Sequence, residues 1–141
     1  MLPEKGLSEQ IAKRFSNFFK YEPAIWHSGV KDKVKKKIWK GIFSNEIKLV
    51  LGARSALFLP FQKLKLIIID EEHDSSYKQE EGLPFSARDM AILQASIEKF
   101  PIFLVSATPS IETFYNAQKK KYNYYCLQNR YNQSDLPEIK T

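Results

Sequence analysis

With 141 residues, 43% of them hydrophobic and 13% aromatic, the chain has the size and apolar content to build one globular core and no more. A net charge of +6 and a pI near 9.3 fit a polyanionic partner such as nucleic acid without specifying one. The single Cys126 excludes an internal disulfide framework and a cysteine-built zinc site, and no secretory or membrane-spanning apolar run is present, so no membrane partner and a soluble, cytoplasmic location are expected.

Helix-period and strand-period segments alternate, which predicts an α/β fold with a mainly parallel sheet flanked by helices. Leu7, Ile11, Phe15, Phe18 and Phe19 recur at helical spacing, with Ser8 as a nearby N-cap. Ala24-Ile25-Trp26-His27 reads as a short strand that turns at Ser28-Gly29. In the lysine-rich stretch from Lys31 to Lys40, Val34, Ile38 and Ile42, with neighbouring Trp39 and Phe43, supply an apolar helical stripe. The lysines then fall on the opposite, solvated face, which is the ordinary outcome for such a run. Ile47 to Leu51 is a third apolar run, closed by Gly52 and followed by Ala53-Arg54-Ser55-Ala56.

The apolar run from Leu64 to Ile69 ends abruptly in Asp70-Glu71-Glu72-His73. It reads as a buried strand delivering acidic side chains to the carboxyl edge of a parallel sheet, where open α/β proteins bind ligands. Residues 70 to 85 show little periodicity, and a long irregular connection inside a small domain is more often functional than idle. Ser86 caps a helix whose apolar face is expected to include Met90, Leu93 and Ile97. Ile102 to Val105 is a second apolar run, ending in Ser106-Ala107-Thr108-Pro109. Ser110 caps a last helix that reaches the lysines at 119 to 121, Tyr122 to Leu127 reads as one more strand, and 128–141 reads as an irregular exit segment.

Two strands thus carry polar clusters at equivalent ends, and the chemistry they suit is ATP hydrolysis. That reaction needs a metal on the phosphates, an oriented water and cationic stabilisation of the transition state. Asp70 is placed to hold Mg²⁺, Glu71 to orient or deprotonate the attacking water, and His73 to hydrogen-bond toward the Ser106-Ala107-Thr108 turn. Each motif alone has a bland explanation: acids after a strand often form a solvated turn, and Ser, Thr and Pro favour turns and caps for local reasons. Their joint occurrence, each closing an apolar run, favours the functional reading of a helicase motor.

Leu51-Gly52-Ala53-Arg54-Ser55-Ala56-Leu57-Phe58, the string from Ile69 through Asp70-Glu71-Glu72-His73 to Gln79, Ala87-Arg88-Asp89 and Ser106 to Ser110 together resemble the PriA family of replication-restart DNA helicases (primosomal protein N′). Leu2-Pro3-Glu4 and His27-Ser28-Gly29 resemble earlier elements of the same family, so the likeness covers nearly the whole chain. It implies a superfamily 2 enzyme that couples ATP hydrolysis to 3′-to-5′ movement on DNA in replication restart, within a RecA-like (P-loop NTPase) motor fold. By the same resemblance Asp70 and Glu71 are the Walker B pair, with Asp70 the Mg²⁺ ligand, and His73 completes that motif. Ser106, Ala107 and Thr108 would couple hydrolysis to DNA movement, and Pro3, Glu4, Arg54 and Ser55 would lie along the single-stranded DNA track. The stretch from Asp74 to Phe85 resembles an aromatic-rich loop, in which Tyr77 and Phe85 would contact DNA or transmit its presence to the ATP site.

The resemblance implies ATP and Mg²⁺ as cofactors and single-stranded and forked DNA as substrates. Primosome and single-strand-binding proteins would be partners of the full-length enzyme, whose zinc site would lie outside these residues. Lys5, Ser8 and Ala53 depart from the family pattern along the DNA track, and Gly82-Leu83-Pro84-Phe85-Ser86 departs from it where a basic residue and tyrosine are usual. The chain has no G-x-x-x-x-G-K-[ST], the loop that cradles the phosphates. The expected architecture is therefore a partial RecA-like domain without the P-loop strand and helix, spanning 1–127 and followed by the exit segment toward a second motor domain. Such a piece is expected to be catalytically inactive alone, marginally stable, and to leave apolar sheet surface exposed. The alternatives are a noncatalytic module that binds single-stranded nucleic acid, or part of another DExH translocase.

Overall fold

The computed structural model describes residues 1–3, 9–80 and 82–128. In chain order the elements are α1 (Glu9–Phe19), β1 (Ala24–Trp26), α2 (Asp32–Phe43), β2 (Val50–Gly52), β3 (Ile67–Asp70), β4 (Lys78–Gln79), β5 (Phe85–Ser86), α3 (Ala87–Glu98), β6 (Ile102–Val105) and α4 (Ile111–Gln118), with 3₁₀ turns at Arg54–Phe58 and Ser75–Tyr77. They divide into two compact units, Met1–Pro109 and Ser110–Thr141.

In the first unit the apolar runs pair in parallel, as α/β alternation requires: β1 with β2, and β3 with β6. The backbone of Met1–Leu2 bridges the two pairs. Asp70 N–H donates to Met1 O (3.0 Å), Met1 N donates to Ile68 O, and Leu2 N–H donates to Gly52 O (3.0 Å). Gly52 and Asp70 close their strands beside the same two residues, so β2 and β3 end at one edge. Gly52 must be glycine there, because a Cβ would stand 2.3 Å from Ala56 Cβ and 3.1 Å from Trp26 O.

One core lies on a single face of β3 and β6. Ile67 and Ile69 point into it with Tyr77 and Phe100, against the alanine stripe Ala87, Ala91 and Ala95 of α3. The expectation that α3 buries Met90, Leu93 and Ile97 is corrected, since all three are exposed. Alanines spaced four apart let the helix approach the sheet closely, and larger side chains are turned outward. The opposite face of the strands, carrying Ile68, Phe103 and Val105, is uncovered. It borders an open groove of about 900 Å³ whose walls include Phe15, Phe19, Ile47, Leu57, Ile68 and Val105.

A second cluster joins Ile38 and Ile42 of α2 to Ala56 and Leu59. Here too the sequence reading needs correction: Trp39, Phe43 and Val34 are exposed. The connection from 70 to 85 is also more ordered than its composition predicts. Asp74 accepts Ser76 N–H at 2.7 Å to open a 3₁₀ turn, and β4 and β5 form an antiparallel pair. Ser86 caps α3 as expected by accepting Asp89 N–H (3.2 Å).

In the second unit Ser110 caps α4 by accepting Thr113 N–H (3.3 Å), and Phe114 meets Tyr124 edge to face. No strand forms over Tyr122 to Leu127. Tyr124, Tyr125 and Leu127 are exposed, and the segment pairs with no strand among the described residues. Glu4, the helix cap expected at Ser8, and the exit segment beyond residue 128 lie outside the described residues.

Candidate nucleotide and DNA site

The parallel register sets Asp70 opposite Val105, so the chain leaves both strands at one edge. Glu71 to His73 emerge from β3 beside Ser106 to Thr108 from β6. A backbone link fixes the two turns, with Glu72 N–H donating to Val105 O (3.1 Å). A side-chain link reinforces it: His73 Nδ1 and Ser106 Oγ are 2.7 Å apart. Ser106 Oγ also accepts Thr108 N–H (2.9 Å), so its hydroxyl proton can serve His73 Nδ1, an arrangement suited to neutral imidazole protonated at Nε2. His73 Nδ1 is 3.6 Å from Glu71 Oε2, which becomes an ion pair when the ring is protonated.

Glu71 sits at φ +48°, in the left-handed region that a residue with a side chain occupies at a cost. Its N–H is received by Asp70 Oδ1 (3.1 Å), and its carboxylate stays half exposed. Asp70 is therefore anchored through one oxygen at a partly accessible position. A single anchored carboxylate with a neighbouring acid fits the hard oxygen chemistry of Mg²⁺, which takes only one or two protein carboxylates and completes its shell with water and phosphate. Among the described residues no cluster of three or more His, Cys, Asp or Glu could hold a metal on its own. The carboxylate half of a Mg²⁺–nucleotide site fits these residues, and the phosphate cradle is not carried by this chain.

The third acid of the motif has a role that the sequence did not disclose. Glu72 is 2% exposed and receives Arg88 Nη1 at 3.1 Å, while Arg88 Nε bonds Asp89 at 2.8 Å. Burial pulls the guanidinium pKa down, but Asp89 and Glu72 more than offset it. The pair ties the Asp70–His73 turn to the first turn of α3. The Ala87-Arg88-Asp89 string was visible beforehand, but nothing in its spacing pointed to Glu72.

The expected DNA-track residues are distributed unevenly. Ser55 is exposed, Arg54 and Phe85 are half-buried, and Pro3 and Tyr77 are buried. Neither Pro3 nor Tyr77 offers a side-chain surface to a strand in this conformation. The Tyr77 ring fills the α3 core, and its hydroxyl donates to Asp70 O (2.7 Å) and reaches Met1 O (3.2 Å). Arg54 Nη1 donates to Lys78 O (2.9 Å) and, more weakly, to Ser76 O (3.4 Å), gripping the backbone on either side of Tyr77. Phe85 meets Phe58, an exposed ring that the sequence reading left without a role, edge to face at 5.4 Å.

Comparison with known proteins decides the family. The model of the DEAD/DEAH box helicases matches residues 1–117. The chain belongs to the DEAD/DEAH box helicase family. Within it, the likeness to PriA replication-restart helicases runs the full length of the chain. It is 55% identical to the replication restart protein PriA of Rickettsia felis over 139 residues, which are 99% of this chain and 22% of that protein. It is 43% identical to PriA of Bacillus subtilis over 139 residues, 99% of this chain and 17% of the relative. The Haemophilus influenzae PriA is 41% identical over 130 residues, 92% and 18% of the two chains. The chain thus spans about a fifth of the length of the curated relatives it matches. As a helicase-family chain it has the mixed α/β architecture of a partial RecA-like motor domain lacking Walker A. No helix among the described residues is long and apolar enough to cross a membrane.

Proposed function

We propose that this chain is the part of a PriA-type, ATP-dependent 3′-to-5′ DNA helicase that holds the catalytic carboxylates and couples them to DNA, in replication restart. The observation that carries this reading is the 2.7 Å contact between His73 and Ser106, which joins the acidic strand end to the Ser-Ala-Thr strand end at one sheet edge. In the proposed roles Asp70 bears Mg²⁺, whose bound form would neutralise phosphate charge. Glu71, held outward by its left-handed backbone, orients the water and takes its proton. His73 and Ser106, with Ala107 and Thr108 in the same turn, report that state to the neighbouring strand.

Arg54 and Tyr77 give the DNA side a path to the same carboxylate. Arg54 lies on the proposed track beside Ser55 and holds the carbonyls flanking Tyr77, whose hydroxyl holds the carbonyl of Asp70. Tyr77 thereby transmits rather than reads. ATP, single-stranded and forked DNA, and primosome and single-strand-binding proteins are the ligands and partners proposed for the longer enzyme. The chain itself, without G-x-x-x-x-G-K-[ST], is proposed to be inactive alone.

The test is a chimera in which this chain replaces the matching 139 residues of the Rickettsia felis relative. DNA-stimulated ATP hydrolysis is expected in the chimera and not in the isolated chain. Glu71→Gln should lower the chimera's rate by about 10²- to 10⁴-fold with nucleotide still bound. A Glu71→Gln chimera that hydrolyses ATP at the parent rate would overturn the assignment.

A further inference from the structure

The helix face that the sequence analysis assigned to the core carries more than structure. Ile38 and Ile42 are the large apolar residues of α2 that bury, against Ala56 and Leu59, and this leaves Trp39 and Phe43 pointing outward at 46% and 56% exposure. Their rings are stacked on each other, with centroids 5.6 Å apart and planes only 7° from parallel. Helical spacing puts Lys36 three residues before Trp39, and Lys40 three before Phe43, so the two lysines share this outward face with the rings. Lys33, Lys35 and Lys37 add to the positive field of the same helix, against one acid, Asp32, in its first turn. Among the described residues no carboxylate pairs with Lys36 or Lys40.

An exposed, mutually stacked aromatic pair keeps apolar surface in water that ordinary packing would remove, which marks such patches as contact surfaces. Its flanking charge selects the partner's chemistry. Flat ring faces accept any unstacked base, and the lysines neutralise the phosphates between bases, so the combination suits a single strand with no sequence preference. A duplex offers the phosphates but keeps its bases stacked inside. Position agrees with this reading. The inner face of α2 packs on the turn that carries Arg54 and Ser55, so the outer face lies about one helix diameter, ~10 Å, from the proposed track.

We propose that the outward face of α2, formed by Trp39, Phe43, Lys36 and Lys40, is a second binding site for single-stranded nucleic acid, separate from the Arg54-Ser55 edge. The site needs no nucleotide and goes beyond the motor assignment, so it stands or falls independently of the roles of Asp70 and Glu71.

The experiment is a titration of the 141-residue chain with oligo(dT) of about 16 nucleotides, the upper end of the site sizes such surfaces occupy. It follows indole emission alongside the anisotropy of the labelled oligonucleotide. A saturable loss of emission is expected, and it should be absent in Trp39→Phe, where Trp26 is the remaining indole and binding persists because phenylalanine still stacks. Lys36→Glu/Lys40→Glu should weaken binding at least about tenfold. The charge-matched control Lys120→Glu/Lys121→Glu should weaken it far less, and circular dichroism should show all variants folded like the parent. Binding without any change in Trp39 emission, equal loss in the two charge-reversed pairs, equal quenching by a duplex, or no binding at all would each overturn the proposal.

Discussion

The two faces of the β3–β6 pair obey opposite rules. On one, Ile69 is 0% exposed and every neighbour has a defined partner: α3 offers alanines, Tyr77 fills the remaining volume, and its hydroxyl closes on Asp70 O. On the other, Ile68, one residue away in the same strand, is 41% exposed beside Phe103 and Val105. Strand periodicity makes this contrast possible, because adjacent side chains point to opposite sides. The difference shows that the edge bearing Asp70 and Glu71 takes its buried side-chain packing from the α3 face, beside its backbone links to Met1 and Val105. The strand end bearing Asp70 and Glu71 is positioned by the Tyr77 and Glu72–Arg88 contacts, and the open face contributes little to it.

The sharpest way to break that comparison is to remove the buried charge that joins the edge to α3. Glu72→Ala leaves Arg88 facing a vacated pocket and is expected to destabilise the chain by about 3–5 kcal/mol. Asp89→Ala, which removes the exposed partner of the same guanidinium, should cost about 1 kcal/mol or less. Urea unfolding of the two variants side by side measures the difference, and equal costs would show that burial at Glu72 does not organise the edge.

A direct contrast across the strand comes next. Ile69→Ala opens a cavity in a sealed core and should cost about 2–5 kcal/mol. Ile68→Ala removes a side chain that already faces solvent, and about 1 kcal/mol is expected from the smaller area it withholds from water. If Ile68→Ala proved as costly as Ile69→Ala, the outer face would have to be covered in solution, and the asymmetry described above would not hold.

These residues also show what could be read from the chain beforehand. The ends of β3 and β6 were legible because an apolar run that stops at Asp70 or Ser106 marks both a strand and the edge where it ends. The caps at Ser86 and Ser110 were legible because capping is local chemistry. The faces of α2 and α3 were not. Each helix carries two adjacent apolar stripes, and periodicity alone cannot choose between them. The choice is made by what stands opposite: a close-packed sheet selects Ala87, Ala91 and Ala95 over Met90 and Leu93, and the Ala56–Leu59 turn selects Ile38 and Ile42 over Trp39 and Phe43. The burial of Tyr77 and the Glu72–Arg88 pair were hidden for the same reason, since each depends on partners brought together only by the fold. The bridge made by Met1–Leu2 is backbone hydrogen bonding, to which side-chain pattern is silent.

The smallest effect tests the link closest to Asp70. Tyr77→Phe keeps the ring in the core and deletes only the hydroxyl that bonds Asp70 O, so the expected loss is about 0.5–1.5 kcal/mol at neutral pH. It has a second signature in its pH dependence. Burial, then the charges of Asp70, Asp74 and Glu71, push the Tyr77 phenol well above its ordinary value of 10.0 in the folded chain. A group that holds its proton more tightly when folded contributes stability that is fully present below the unfolded value and is lost as the pH rises through the folded one. The parent chain should therefore lose stability from about pH 10 upward relative to Tyr77→Phe, and the gap between the two should narrow and then invert. The two chains differ at this hydroxyl alone, so the difference between their unfolding midpoints isolates Tyr77. A gap that stays constant across this range would mean that the hydroxyl reaches solvent, and Tyr77 would then be free to meet DNA instead of bracing the carboxylate strand.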